Sequence, residues 1–158
     1  MSAVNLGTGG LEQIGVWKFQ GPKFILEKDI LLRQTNAIGN TYFSEYIEWQ
    51  GEAREQLLFA HPATREYLKQ NANIKLVTHS LFHRFLVDSS LGDRIRIEVT
   101  TREIHDYSLV LVFRYYDLKK NMQIGEGWQK ICYSDKNTKN LCRIPQLILD
   151  LTEPLREN

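Results

Sequence analysis

Cysteine is scarce in this chain, with two residues, Cys132 and Cys142, among 158. Two thiols cannot build the disulfide framework of a small secreted domain, and neither stands in a C-x-x-C pair. An excess of charge of one sign is also lacking: 20 basic against 19 acidic side chains leave a net charge of +1. That balance gives no general pull toward nucleic acid or an anionic membrane, and the basic residues are dispersed. No apolar run approaches the roughly 20 residues needed to cross a bilayer. The opening MSAVNLGTGG has neither the basic region nor the apolar core of a secretory signal. These absences predict a cytoplasmic protein with reduced thiols, no membrane and no nucleic-acid partner. There is no G-x-S-x-G elbow, no P-loop and no H-E-x-x-H pattern, so no motif-based serine hydrolase, nucleotide or zinc chemistry is expected. His79 and His83 are read on a strand, where four residues span about 13 Å, too far apart to share one ion. Neither a metal site nor a cofactor is expected.

What is present fits one globular domain: 42% of residues are hydrophobic and 25% charged, and the length allows a core of useful size. Residues 1–22 are glycine-rich without periodicity, which predicts a mobile N-terminal tail. Phe24–Arg33 reads as a strand, QTNAIGN as a turn, and Tyr42–Phe59 as a helix. A second short helix is predicted from Pro62, proline being favoured at an early helical position, to Gln70. Four strands follow at 74–87, 94–104, 108–118 and 124–134. Ile95, Ile97 and Val99 alternate with Arg94, Arg96 and Glu98, as on a half-buried strand. The segment IPQLILDLTEPL, with two prolines, reads as a terminal helix or docking tail. The expected organisation is a tail over 1–22, one domain over 23–145 and a C-terminal tail over 146–158. Strand, long helix and four antiparallel strands make an α+β layout, a five-stranded sheet with one long helix on one face.

The long helix carries polar groups in an unexpected place. Projected at about 100° per residue, Phe43, Tyr46, Ile47, Leu57 and Leu58 share one arc. Glu45, Glu48, Glu52 and Glu55 fall opposite. Gln50 and Arg54 lie near the centre of the apolar arc. A buried guanidinium is costly unless paired and hydrogen-bonded. Arg54 therefore needs carbonyls, a side-chain acceptor or a ligand. It is either a structural arginine or part of a binding site.

The loop before the helix adds a second feature. First-turn amides of a helix carry unsatisfied donors and partial positive charge, and an oxyanion aimed at them would be stabilised. Gly39 permits close approach of a carbonyl, and Asn36 brings an amide to the same end. Asn40 or Thr41 is the expected N-cap, a role compatible with carbonyl binding.

The N-A-x-G-N-x-Y segment, followed by W-Q-G-x-x-R-E, is similar to the hot-dog thioesterases of the 4-hydroxybenzoyl-CoA thioesterase type. It looks most like the branch that serves iterative polyketide synthases making enediyne precursors. The matching residues are Asn36, Ala37, Gly39, Asn40, Tyr42, Tyr46, Trp49, Gln50, Gly51, Arg54 and Glu55, with LGDRIRI and IGEGWQK further on. The resemblance spans roughly Phe24 to Ser134. It implies a hot-dog fold, a five-stranded antiparallel sheet wrapped around one helix. The wider family often has an acidic nucleophile or base where this chain has Asn36; the enediyne-type branch also has Asn there, with a functional Arg at the position of Arg54. The implied mechanism is water attack on an acyl thioester. Asn36 would orient water or carbonyl, Arg54 would bind the carbonyl or developing anion, and amides near Tyr42 and Phe43 would complete the oxyanion site. Gly39, Asn40, Tyr42, Phe43, Tyr46 and Gln50 would bind substrate. The resemblance further implies an acyl carrier protein domain of a polyketide or fatty-acid synthase as partner, and a homodimer or homotetramer with sites between subunits. The competing readings are an acyl-CoA thioesterase of general metabolism, a hot-dog dehydratase, and a non-catalytic acyl-binding partner of a synthase. The dehydratase is disfavoured by helix glutamates that face outward.

Overall fold

The computed structural model describes residues 16–158, so most of the expected N-terminal tail lies outside the described residues. The architecture is α+β, and the sheet has seven strands rather than the expected five. They are β1 (Val16–Gln20), β2 (Lys23–Asp29), β3 (Ile74–Phe85), β4 (Arg94–Arg102), β5 (Ser108–Asp117), β6 (Met122–Asp135) and β7 (Leu141–Cys142). The helices are α1 (Phe43–Phe59), α2 (Pro62–Gln70) and α3 (Gln146–Thr152). The antiparallel order is β1-β2-β4-β5-β6-β3, with β7 on β6. β3 is thus an edge strand although it follows α1 directly in sequence.

Two of the expected boundaries change. Val16–Gln20, placed in the tail by sequence, pairs with β2; its Trp17 and Phe19 rings pack on Phe24, with ring centroids 5.7 and 5.3 Å away. The C-terminal segment packs into the core. Ile144, Ile148 and Leu155 recur at helical spacing and are buried, and Glu157 donates its backbone N–H to the Thr101 carbonyl at 2.8 Å.

α1 lies across the inner face of the sheet, and its register explains two glycines. Four helical residues rise about 6 Å, close to the ~6.7 Å spanned by two strand residues. Tyr46, Gln50 and Arg54 therefore meet β6 near Gly125, Gly127 and Gln129 in turn. The Tyr115 hydroxyl, on the strand beside Gly125, donates to the Tyr46 carbonyl at 2.8 Å. A Cβ on Gly127 would collide with the Gln50 amide nitrogen and the Phe82 carbonyl oxygen. The sheet curls around the helix and covers both its flanks. Lys28 on β2 is buried against Glu52, with its ammonium 5.2 Å from the centre of the Trp49 ring. One carboxylate oxygen of Glu45 is buried without a partner. Only Glu48 and Glu55 of the four glutamates are exposed, so the outward-facing row read from the helical projection is half wrong. A projection of one helix cannot register a sheet that folds over its sides.

Candidate active site

The loop leading into α1 is built around Asn36. Its Oδ1 accepts from the backbone N–H groups of Ile38 and Asn40, both at 3.1 Å, and its own N–H donates to the Asn40 carbonyl at 2.8 Å. Gly39 has φ +88°, a left-handed conformation that an L side chain would strain. Asn40 bridges to Ser90. The Asn36 amide is exposed, and with its oxygen engaged by the loop, Nδ2 is the atom left to serve a ligand.

Neither expected capping residue caps the helix. Thr41 turns its hydroxyl to Ser89 Oγ, 2.7 Å away, and Tyr42 occupies the N-cap position with no side-chain hydrogen bond. The Tyr42 N–H, expected in the oxyanion site, donates to the Gln34 carbonyl at 2.8 Å and is not free. The next two amides, of Phe43 and Ser44, have no helical carbonyl behind them. The uncapped end is bordered by exposed apolar side chains: Ile38, Tyr42, Phe43 (61% exposed) and Leu91. The Tyr42 and Phe43 rings lie 4.7 Å apart. The arrangement is an unblocked pair of donors at the positive end of a 17-residue helix, ringed by hydrocarbon.

The remaining expected residues line up along the buried side of α1. Tyr46 is buried, and its hydroxyl pairs with Ser89 Oγ at 2.7 Å; burial raises its pKa while the Ser89 hydrogen bond pulls it back. Gln50 is wholly buried, donates to the Phe82 carbonyl at 3.1 Å, and leaves Oε1 unpartnered. Arg54 is half-buried and donates from Nη1 to Thr78 Oγ1 (2.8 Å) and Gln129 Oε1 (2.9 Å). Burial lowers its pKa, with Glu55 opposing at a distance, and no carboxylate among the described residues forms an ion pair with it. Tyr133 is buried nearby with an unpartnered hydroxyl, and burial pushes that phenol up, with Arg54 pulling it back. Arg54 follows Phe43 by 11 residues, or about 16 Å of helix, so one chain does not bring Asn36 and Arg54 together.

From sequence, His83 is weighed only as a metal partner for His79 and has no place in the site. It lies on the inner face of β3, its ring 5.0 Å from Tyr46 and 5.1 Å from Tyr115, with both nitrogens unpartnered. Its place on the inner face depends on a register shift between Thr78 and Ser80, which leaves no local signal in the sequence.

A curved antiparallel sheet wrapped around one long helix, with an open helix N-terminus beside the wrapping loop, defines a hot-dog domain. The chain belongs to the thioesterase-like superfamily, whose profile matches residues 30–151. Among solved structures it is similar to the dynemicin thioesterase, with 18% identity, 86% of this chain and 99% of that one covered, and a TM-score of 0.79. It is also similar to a 1,4-dihydroxy-2-naphthoyl-CoA thioesterase from Synechocystis, with 15% identity, coverage of 82% and 94%, and a TM-score of 0.75. A Staphylococcus aureus protein solved in complex with CoA gives 11% identity, coverage of 86% and 87%, and a TM-score of 0.78. At these identities the likeness shows the fold. No curated protein matches the chain.

Proposed function

We propose that the protein hydrolyses an acyl thioester presented by an acyl carrier protein of a polyketide or fatty-acid synthase. The observation that carries this reading is the uncapped N-terminus of α1. The Phe43 and Ser44 amides are placed to receive the oxygen of a thioester carbonyl, and their interaction strengthens as that oxygen gains charge. Asn36 Nδ2 adds a donor at the same end. Asn36 cannot act as a carboxylate would, so water is the attacking group. A thiol leaving group has a pKa near 8.5 and departs as thiolate, so the reaction makes little demand for a general acid. The apolar border of Ile38, Tyr42 and Phe43 suits an acyl chain.

Arg54 enters through a second copy of the chain. β3 is a 12-residue edge strand carrying exposed Leu81, Phe82 and Phe85, with Leu86 just beyond it, a surface suited to pairing with itself. A two-fold axis through β3 makes both the strands and the two α1 helices antiparallel. The N-terminus of one helix then lies alongside the later turns of the other, which supports a site completed by Arg54 of the second copy. Such a site is at least dimeric and consistent with a tetramer. No helix among the described residues is long and apolar enough to cross a membrane.

Hydrolysis of matched acyl-carrier-protein and acyl-CoA thioesters, by the protein and by its Asn36→Ala and Arg54→Met variants, tests this reading. Faster turnover of the carrier-protein thioester, lost in both variants, is expected. Preference for CoA would make it a thioesterase of general metabolism. Tight acyl binding without turnover would make it a non-catalytic partner of a synthase.

A further inference from the structure

We propose that His83, with Gln50, forms an oxygen-reading site for the acyl chain, so that the preferred acyl group carries a neutral hydroxyl or ketone several carbons from the thioester. The inference rests on the acyl-thioester reading above and names a property of its substrate.

Where α1 crosses β3 and β6, three polar atoms have no hydrogen-bond partner among the described residues: both ring nitrogens of His83 and Oε1 of Gln50. Buried polar groups are rarely left unpaired, so such a cluster calls for an explanation. The neighbouring hydroxyls do not supply one: Tyr46 pairs with Ser89, and Tyr115, whose oxygen lies against the Gln50 amide, gives its proton to the Tyr46 carbonyl. Gly125 and Gly127 pass beneath the imidazole without side chains, and a Cβ on either would lie 3.0–3.2 Å from its ring atoms. Gln50 and His83 therefore share one seat on bare backbone. Around them stand the rings of Tyr46, Phe85 and Tyr115, at 5.0, 4.6 and 5.1 Å from the imidazole.

The chemistry of the complement follows. Burial holds the imidazole neutral, its pKa down to about 4, with Glu126 pulling it back up. A neutral imidazole offers one N–H and one lone pair, and Gln50 adds an acceptor. None of these supplies the charge that a carboxylate or phosphate requires. A hydroxyl or a ketone is matched. Phe85, half-exposed on the edge strand, covers the imidazole at 4.6 Å, so access runs past it along the face where the second copy is proposed to pair. Tyr46 and Gln50 lie three and seven residues beyond Phe43, about 5–10 Å along the helix from its amide. A chain whose carbonyl sits at that amide reaches His83 partway along its length.

The test uses the full chain and three non-hydrolysable acyl-pantetheine amides: a saturated medium-length chain, and the same chain with a mid-chain hydroxyl or a mid-chain ketone. Calorimetry is expected to show at least one oxygenated ligand bound about tenfold or more tighter than the saturated one, and His83→Phe and His83→Leu are expected to bring that ratio toward one. Preference for the hydroxyl would assign the imidazole lone pair as the reader, and preference for the ketone its N–H; either supports the inference. Absence of preference in the unmodified chain, a ratio that both variants preserve, or no binding of any ligand would overturn it. The corresponding thioesters are assayed in parallel. Oxygen-selective binding without hydrolysis would defeat the thioesterase reading and leave this inference standing.

Discussion

Replacing Arg54 by methionine separates the two roles open to a half-buried guanidinium. If Arg54 is structural, its bonds to Thr78 and Gln129 hold α1 to the sheet. Each hydrogen bond to a charged group is worth about 1.5–3 kcal/mol, and leaving the buried Gln129 carbonyl unpaired adds about 1–3 kcal/mol. Losing them without compensation would destabilise the protein by several kcal/mol. Compensation exists, because burial already disfavours the charged form and no carboxylate among the described residues pairs with it. An unbranched apolar side chain removes that cost and fills the same channel. The net change should stay within about 1.5 kcal/mol, which for a domain of this size moves Tm by less than about 6 °C. Hydrolysis should fall by about 10²–10³-fold, the usual effect of removing one donor to a developing oxyanion. Calorimetric Tm and kcat/KM on the same preparation make the comparison. A Tm loss well beyond 10 °C, or unchanged kcat/KM, would refute the reasoning.

Other consequences follow from the same contacts. Gly127→Ala forces a methyl against Gln50 and the β3 backbone, and should cost about 1–3 kcal/mol or more by urea denaturation. Leu155→Ala should cost about 2–4 kcal/mol because Leu155 is buried in the core; a mobile tail would give no change. His83 is held neutral with a pKa of about 4, whereas the unfolded chain binds the proton near 6.5. The unfolded state therefore takes up more protons between those values, and stability should fall as pH drops from about 6.5 toward 4. The slope of urea stability against pH in that window should be shallower in His83→Phe; an identical slope would remove His83 as its source.

Much of the fold is legible because its signals are local. Pro62 at the first helical position sets the start of α2, where the structure adds a His61 side chain accepting from the Ala63 N–H. The alternation of Arg94–Val99 marks β4, and the polar interruption of the α1 apolar face identifies Gln50 and Arg54 as the polar residues that meet β6. What was hidden depends on tertiary packing. β1 is a short strand, largely exposed, that exists because Trp17 and Phe19 find Phe24. The C-terminal segment carries prolines at its start and end, which read as a tail, yet Pro145 and Pro154 stand at the beginnings of helical turns. The inward placement of Glu52 depends on Lys28, 24 residues away. At the site, the sequence marks the loop and the helix start but not which amides remain free. That is decided by Thr41 turning to Ser89 and by the Tyr42 N–H meeting the Gln34 carbonyl.

The most direct test of the account removes one N–H from the helix end and controls for the lost ring. Phe43 is the first residue of α1, where proline is tolerated because its missing donor has no helical partner. Tyr42 before it is already extended, at φ −67° and ψ 138°, as a residue preceding proline must be. Phe43→Ala removes the ring and keeps the amide; Phe43→Pro removes both. With Tm and helical circular dichroism matched between the two variants, acyl-thioester hydrolysis by the proline variant should be about 10²–10³-fold slower than by the alanine variant. Equal rates would contradict the claim that this amide holds the thioester oxygen.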